Sequence, residues 1–295
     1  MDAIVSDKPL IKAGWLRALL YLLALGIAAA GLLAGFIFAL LKDKPDEAGF
    51  QALMKGNSPA LMVLIFFALS LIITYVFRRW IDRRSFISLG LETRGHLRDA
   101  LAGASLGLFI VASSCLISEL TGHLKWMDIL FDPKALFLAS GTILLSAFYE
   151  ELIFRGYLLT NLMESLPKWL ALALSAVLFM AFHWNGSGLF PLLNALIMGL
   201  IAGIFYIYSR NLWFPVFFHF AWKFMTGPVL DFTHETTSPS LLQATVQGNE
   251  NITGGTYGLE GSLMITTISL LSAVALYLIL QKKINPRFQP VPDRI

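Results

Sequence analysis

The chain has 295 residues, of which 57% are hydrophobic and 14% are charged, and its mean hydropathy is +0.70. These charges are too few to cover a water-soluble surface, which excludes an ordinary soluble domain. The net charge is +3, and the basic residues lie between apolar segments instead of in one cluster, so no nucleic-acid partner is predicted. The composition predicts the lipid bilayer as the environment of this protein.

Eight continuous apolar segments follow one another along the chain, and most are long enough to cross a hydrocarbon core of about 30 Å as helices. The fifth and seventh are short and end in polar residues, which is typical of helices that stop at a cavity. We therefore predict an all-α, polytopic membrane protein of about eight transmembrane helices. They lie near Trp15–Leu41, Pro59–Phe77, Ala100–Ile117, Ala135–Leu159, Trp169–Trp184, Phe190–Tyr208, Leu212–Met225 and Ser262–Leu280.

The distribution of basic residues predicts an N-in/C-in orientation, with both termini cytoplasmic. In this orientation the long segment Thr226–Gly261 is external, and it contains no Lys or Arg. The basic segment Arg78–Arg98 is expected at the cytoplasmic interface, in contact with lipid headgroups. The protein is expected in a cell membrane, the bacterial inner or plasma membrane. The outside segments hold only Lys42, Lys44, Lys55, Lys125 and Lys134.

Three regions divide the chain. Residues 1–134 are predicted to form an N-terminal transmembrane region of three helices with a basic cytoplasmic segment. Residues 135–225 contain helices four to seven and the ionisable residues that point to chemistry. Residues 226–295 hold the external loop, the eighth helix and a basic cytoplasmic tail. The candidate functional residues thus fall in one contiguous third of the chain.

The fourth segment carries two adjacent carboxylates, Glu150 and Glu151, inside an apolar helix. A charge at the centre of a membrane helix costs ~2.5–3.5 kcal/mol by insertion scales, so such residues are usually functional. Glu151 and Arg155 are four positions apart and share a face, which predicts a supporting ion pair. Glu150 points about 100° away and has no local partner, which favours a role as general acid or base.

Two histidines and a lysine follow in the fifth and seventh segments. His183 has the same predicted depth as Glu150, because helices four and five are antiparallel neighbours joined by a short loop. A Glu150–His183 pair at this depth could polarise one water molecule. His219 and Lys223 share one helical face, which we expect to turn toward the bundle interior. Asn194 is a further polar candidate, although a helix–helix hydrogen bond explains it equally well.

Three motifs in the predicted core together resemble one known family. They resemble the CAAX protease and bacteriocin-processing (CPBP, or Abi) family of intramembrane endopeptidases, related to the type II CAAX prenyl endopeptidases. The resemblance covers roughly Ala135–Met225, and the order, spacing and helix placement of the motifs all agree. The motifs read Glu150-Glu151-x-x-x-Arg155, Phe179-x-x-x-His183 and Leu212-Trp213-x-Pro215-x-x-x-His219.

The resemblance implies hydrolysis of a membrane-associated or lipidated peptide or protein substrate. It implies that Glu150 and His183 activate water, and that His219 stabilises the oxyanion together with an asparagine four residues later. Glu151, Arg155 and Phe179 would support this site.

Lys223 stands where the family has that asparagine. Its ammonium could donate hydrogen bonds to the oxyanion, which would make Lys223 a catalytic residue. Alternatively, it could pair permanently with Glu150 or Glu151 and leave a catalytically silent immunity or regulatory membrane scaffold. The presence of Glu150, His183 and His219 favours retained activity.

No cofactor is favoured by the sequence, although zinc is possible, because members of the family have been described both as metalloenzymes and as metal-free proteases. If a metal is present, His183, His219 and Glu150 are the expected ligands. Lys223 would repel a dication, and the chain has no His-Glu-x-x-His motif, so we favour a metal-free Glu–His mechanism. A proton-coupled transporter is an alternative of another class. The chain lacks the paired halves of similar hydropathy that many transporters have.

Overall fold

The computed structural model describes residues 8–43, 58–184, 188–230 and 240–282, and the predicted C-terminal tail from residue 283 onward lies outside this range. Most of the described residues are helical. We label the helices that match the eight predicted segments α1 to α8. In order they are Gly14–Asp43, Ser58–Val76, Leu97–Leu120, Pro133–Glu151, Lys168–Phe182, Leu189–Ser209, Trp213–Phe224 and Leu263–Lys282.

Six helical stretches among the described residues are long and apolar enough to cross a membrane. The remaining two helices are shorter: α5 is an apolar helix of 15 residues and α7 has 12 residues. The prediction of a mainly helical protein with several candidate membrane spans is therefore confirmed, and each helix begins and ends within a few residues of its predicted segment except α4, which ends at Glu151. The six stretches are Gly14–Phe38, Ala60–Ile81, Leu97–Leu120, Pro133–Met163, Leu189–Ser209 and Leu263–Lys282.

Helix α4 changes its winding directly after the two adjacent glutamates. A π-helical stretch, Leu152–Leu159, follows α4, and a last α-helical turn, Thr160–Met163, completes the rod. Every residue of the π-helical stretch is buried. Because a π-helix has more residues per turn than an α-helix, it turns the side chains that follow to new directions, and such stretches are frequent at functional sites.

Two glycines of α3 allow its backbone to touch that of α7, the helix that carries His219. A Cβ atom added at Gly103 would lie 2.3 Å from the carbonyl oxygen of Phe214, and one at Gly107 would lie 2.8 Å from that of Phe218. Both distances are far below van der Waals contact. Helix α3 therefore fixes the position of α7 through main-chain packing.

We predict that Gly103→Ala lowers the free energy of unfolding by about 1–3 kcal/mol, because the new methyl group forces α3 and α7 apart. The measurement is reversible denaturation by SDS in mixed micelles. Gly141→Ala in α4 is the matched control, since a Cβ atom there meets nothing within 4 Å and the gain in helix propensity is the same. Equal stabilities of the two variants would contradict the close packing.

A small antiparallel sheet lies outside the helices. Strand β1, Leu124–Ile129, pairs with β2, Leu242–Val246, with Leu124 opposite Val246. The all-α prediction included no strands, because both strands lie between the continuously apolar segments. The predicted external loop contains regular structure where it is described, including β2 and a 3₁₀-helical stretch, Gly255–Gly261.

A buried ionic cluster joins the beginning of α1 to the segment after α2. The Asp82 carboxylate accepts hydrogen bonds from Arg17 Nη1 at 2.8 Å and Arg78 Nη1 at 2.9 Å. It also accepts from the hydroxyl of Tyr157 at 3.1 Å. Arg17 and Arg84 both contact the Glu164 carboxylate. Contact of Arg78 with lipid headgroups was therefore a wrong prediction, because pairing with Asp82 allows its guanidinium to be buried.

Candidate active site

Three structural elements bring the predicted catalytic residues together. Glu150 lies at the end of α4, just before the π-helical stretch. His183 directly follows the last residue of α5. His219 and Lys223 lie one turn apart on α7, on the face that turns toward α4. All three partners of the Glu150 carboxylate therefore come from outside α4.

The Glu150 carboxylate lies at the centre of the site. Its Oε1 accepts a hydrogen bond from Lys223 Nζ at 2.7 Å. Its Oε2 lies 3.1 Å from His183 Nε2 and 3.5 Å from His219 Nε2. The side chains of Glu150 and His219 are almost fully buried, whereas those of His183 and Lys223 are 26% and 29% exposed. Access to Glu150 is thus from the side of His183 and Lys223.

Glu151 forms a second layer behind the first carboxylate. Its Oε1 accepts hydrogen bonds from Arg155 Nη1 and from His219 Nδ1, each at 2.9 Å. The structure thus contains the ion pair expected from the spacing of Glu151 and Arg155. The Arg155 guanidinium also lies over the Phe179 ring, with Cζ 4.2 Å from the ring centroid. The contact between Glu151 and His219 was missed by the sequence analysis, because no local spacing signals a contact between α4 and α7.

The hydrogen-bond partners of the two imidazoles determine their tautomers. His183 Nδ1 lies 3.0 Å from the Phe179 carbonyl oxygen, and His219 Nδ1 faces the Glu151 carboxylate. Neither oxygen carries a hydrogen, so each Nδ1 is the donor, and each Nε2 of a neutral imidazole is an acceptor. Both Nε2 atoms point to Glu150 Oε2, which has no hydrogen-bond partner among the described residues.

Three acceptor atoms therefore surround one position: Glu150 Oε2, His183 Nε2 and His219 Nε2. Buried acceptors of this kind need a hydrogen-bond donor or a cation between them. A water molecule satisfies two of them, because it has two hydrogens. The arrangement is suited to holding a water molecule with its lone pairs directed outward, toward an electrophile.

Comparison with protein families bears on this geometry. Residues 132–225 match the family described as Type II CAAX prenyl endopeptidase Rce1-like. This region, about a third of the chain, is similar to that family and is the Rce1-like region. The resemblance to the CAAX protease family is confirmed, and the matched family is one of proteases. No curated protein and no solved structure matches the chain. All seven residues predicted for the site lie in the Rce1-like region: Glu150, Glu151, Arg155, Phe179, His183, His219 and Lys223.

The Rce1-like site offers three ligand atoms for a metal ion. One atom each from Glu150, His183 and His219 lies within 4.8 Å of the others. This number suits a catalytic zinc ion, which binds three protein ligands and a water molecule. The charges do not suit it. The ammonium of Lys223 lies 2.7 Å from the Glu150 carboxylate. A dication bound to the same carboxylate would be repelled by this ammonium at short range.

The net charge of the Rce1-like site leads to the same conclusion. Two carboxylates, Glu150 and Glu151, face two basic side chains, Arg155 and Lys223, so the charges balance when these four groups are ionised and both imidazoles are neutral. A dication would leave two uncompensated positive charges in a nearly buried site, which is costly. The residues present therefore do not fit a zinc ion while Lys223 is protonated.

Asn194 has a structural contact outside this cluster. Its side-chain amide donates to the main-chain oxygen of Glu260 at 2.6 Å. The contact joins α6 to the 3₁₀-helical stretch before α8. Asn194 therefore holds the segment 255–261 against the bundle.

Proposed function

We propose that this protein is an intramembrane endopeptidase that hydrolyses a membrane-associated or lipidated peptide or protein. The observation that carries the proposal is the convergence of Glu150 Oε2, His183 Nε2 and His219 Nε2 on one position. A water molecule there would donate hydrogen bonds to Glu150 and His183 while its oxygen faces a substrate carbonyl. The Rce1-like match supports a protease.

In the proposed reaction, Glu150 acts first as a base and then as an acid. It takes one proton from the water as the water oxygen forms a bond to the carbonyl carbon. The carbonyl oxygen becomes an oxyanion. Protonated Glu150 then gives the proton to the peptide nitrogen as the C–N bond breaks, which regenerates the carboxylate. The products are a new carboxyl terminus and a new amino terminus.

We propose that Lys223 stabilises the oxyanion. An ammonium has three N–H donors, and only one is directed at Glu150 in the described contacts. When Glu150 takes up the proton, the negative charge passes from its carboxylate to the oxyanion, and the nearby ammonium can follow that charge. His219 can donate from Nε2 only as an imidazolium, because Glu151 already accepts from Nδ1.

Glu151 and Arg155 are proposed to hold this arrangement in place. Both side chains are almost completely buried, and Glu151 orients the His219 ring while Arg155 neutralises Glu151. Phe179 carries the Arg155 guanidinium on its ring and packs against both imidazoles. These residues act through the histidines and do not reach the reacting atoms.

We further propose eight spans, cytoplasmic termini and a place in the bacterial inner or plasma membrane. The positions of Lys and Arg support this orientation, and the short helices α5 and α7 support a site at membrane depth. The division at residues 134 and 225 remains our proposal for the domain boundaries. The partners are the lipid bilayer and the substrate.

The main alternative is a silent scaffold with an immunity or regulatory role. The ion pair between Lys223 and Glu150 favours it, because this contact can hold the carboxylate away from a water molecule. We favour an active enzyme, because the pair is partly exposed and leaves Glu150 Oε2 free of hydrogen bonds from described residues.

Lys223→Asn separates these two functions. If the natural protein is an enzyme, wild type cleaves peptides, and the variant, which keeps a hydrogen-bond donor but loses the charge, lowers the rate by roughly 10–100-fold. A wild type without activity together with an active Lys223→Asn variant would support the scaffold. Lys125→Asn in β1 is the control, since that lysine is exposed and outside the site.

Zinc content tests the metal-free mechanism. We predict that the active wild type contains no stoichiometric zinc, because Lys223 supplies the positive charge of the site. Removing this charge by Lys223→Asn is expected to raise the zinc affinity of the cluster of Glu150, His183 and His219. The measurement is elemental analysis after equilibration with zinc. Stoichiometric zinc in active wild type contradicts the proposal.

The proposed activity is tested with the purified full chain in lipid nanodiscs. A proteome-derived peptide mixture is incubated with the protein, and mass spectrometry identifies new termini. Cleavage that is absent with Glu150→Gln supports the endopeptidase. Cleavage that is unchanged in this variant would show a contaminating protease.

A further inference from the structure

Lys223 is the cation of the site that an incoming molecule can reach. Its side chain is 29% exposed, whereas that of Arg155 is fully buried. Among the described residues, Nζ contacts the Glu150 carboxylate alone. Two charged N–H donors are therefore available on the side from which a substrate enters.

The other groups around the opening do not compete for an anion. With both imidazoles neutral, the Nε2 atoms of His183 and His219 are acceptors, because Phe179 and Glu151 accept from the Nδ1 atoms. Glu150 itself repels an anion. Lys223 is thus the described donor at the entrance to the site, and hydrogen bonds between an ammonium and a carboxylate are about twice as strong as those between neutral groups.

Building on the proposed endopeptidase function, we propose that Lys223 selects substrates that carry a carboxylate on a residue next to the scissile bond. One N–H donor holds this carboxylate, another faces the scissile carbonyl oxygen, and the third remains on Glu150. The N–H bonds diverge from a single nitrogen, so the groups that they hold must lie close together. This geometry requires the carboxylate to be near the peptide bond that breaks.

Carboxylate binding also changes Glu150. The bound carboxylate and Glu150 share one ammonium, so the Lys223–Glu150 ion pair weakens when such a substrate enters. Transfer of a proton from the water molecule to Glu150 then breaks a weaker ion pair. A neutral substrate leaves the ion pair intact and therefore reacts more slowly, even when it is bound.

Two sources can provide this carboxylate. The side chain of Asp or Glu presents two oxygens, and so does the free carboxyl terminus of a substrate chain. An internal acidic residue would appear at a constant position relative to the cleaved bond. A terminal carboxylate would instead place the cleaved bond at a constant distance from the end of the chain.

The test uses the full chain in nanodiscs with two forms of a proteome-derived peptide mixture. One form is native, and in the other every carboxyl group is converted to its methylamide. We expect native peptides to be cleaved with ~10–100-fold higher efficiency in a Glu150-dependent manner. Equal cleavage of the two forms would overturn this inference and leave the proposed function intact. Absence of Glu150-dependent cleavage from both forms would overturn the proposed function, and the inference with it.

Binding measurements test whether Lys223 causes the preference for carboxylates, and they do not require catalysis. Affinities of one cleaved native peptide and its methylamide are measured with Glu150→Gln, alone and combined with Lys223→Gln or Lys223→Arg. We expect the native peptide to bind more tightly than its methylamide to Glu150→Gln and to the double variant with Lys223→Arg. We expect the two forms to bind equally to the double variant with Lys223→Gln. A preference for the native peptide that persists in the variant with glutamine overturns the role of Lys223.

Discussion

Replacing Glu150 with glutamine is expected to lower kcat/KM for peptide cleavage by ~10²–10⁴-fold, the range for loss of a general base. The amide keeps the shape of the carboxylate, and its oxygen can still accept a hydrogen bond from Lys223. It cannot take a proton from the water molecule. The rate is measured with the purified protein and a peptide found among its cleavage products.

The fold should survive this replacement, because Lys223 is partly exposed and its unpaired charge can be solvated. Glu119→Gln is the matched control, since this carboxylate is exposed near the end of α3. It should leave the rate unchanged. A Glu150→Gln variant that is folded and as active as the control would rule out Glu150 as the base.

The second large effect is expected at Asp82, far from the chemistry. Asp82→Asn should lower the free energy of unfolding by about 3–5 kcal/mol, because it leaves two buried guanidinium groups without their shared counter-ion. Those groups belong to Arg17, which keeps its contact with Glu164, and Arg78, which keeps no carboxylate partner among the described residues. Denaturation by SDS in mixed micelles measures the loss.

Asp128→Asn provides the comparison for Asp82, since Asp128 lies on the exposed side of β1. We expect its stability to stay within about 0.5 kcal/mol of wild type. If Asp82→Asn were equally mild, the buried cluster would not be what holds α1 to the rest of the bundle.

Features set by local geometry could be predicted from the sequence. The ends of most helices follow from the lengths of the apolar segments, although the π-helical stretch after Glu151 does not. The pairing of Glu151 with Arg155 follows from their spacing on one helix. The rise of two antiparallel helices predicts that Glu150 and His183 lie at the same depth, and in the structure they are 3.1 Å apart.

Features set by tertiary packing could not be predicted. The sequence was compatible with Lys223 facing either an oxyanion or a carboxylate. Only the position of α7 against α4 places its ammonium at Glu150 Oε1. The contact of Glu151 with His219 depends on the same packing. Arg17 and Asp82 are 65 positions apart, and no local pattern joins them.

The central claim is that Glu150 drives proteolysis in the membrane, and a comparison of peptide termini tests it most directly. Membranes that express wild type or Glu150→Gln at matched levels are compared by mass spectrometry of all new protein termini. The account predicts a set of termini that appears only with wild type, and this set would identify the substrates. Identical sets of termini at high coverage would contradict the account and make the scaffold with a permanently paired Lys223 the better explanation.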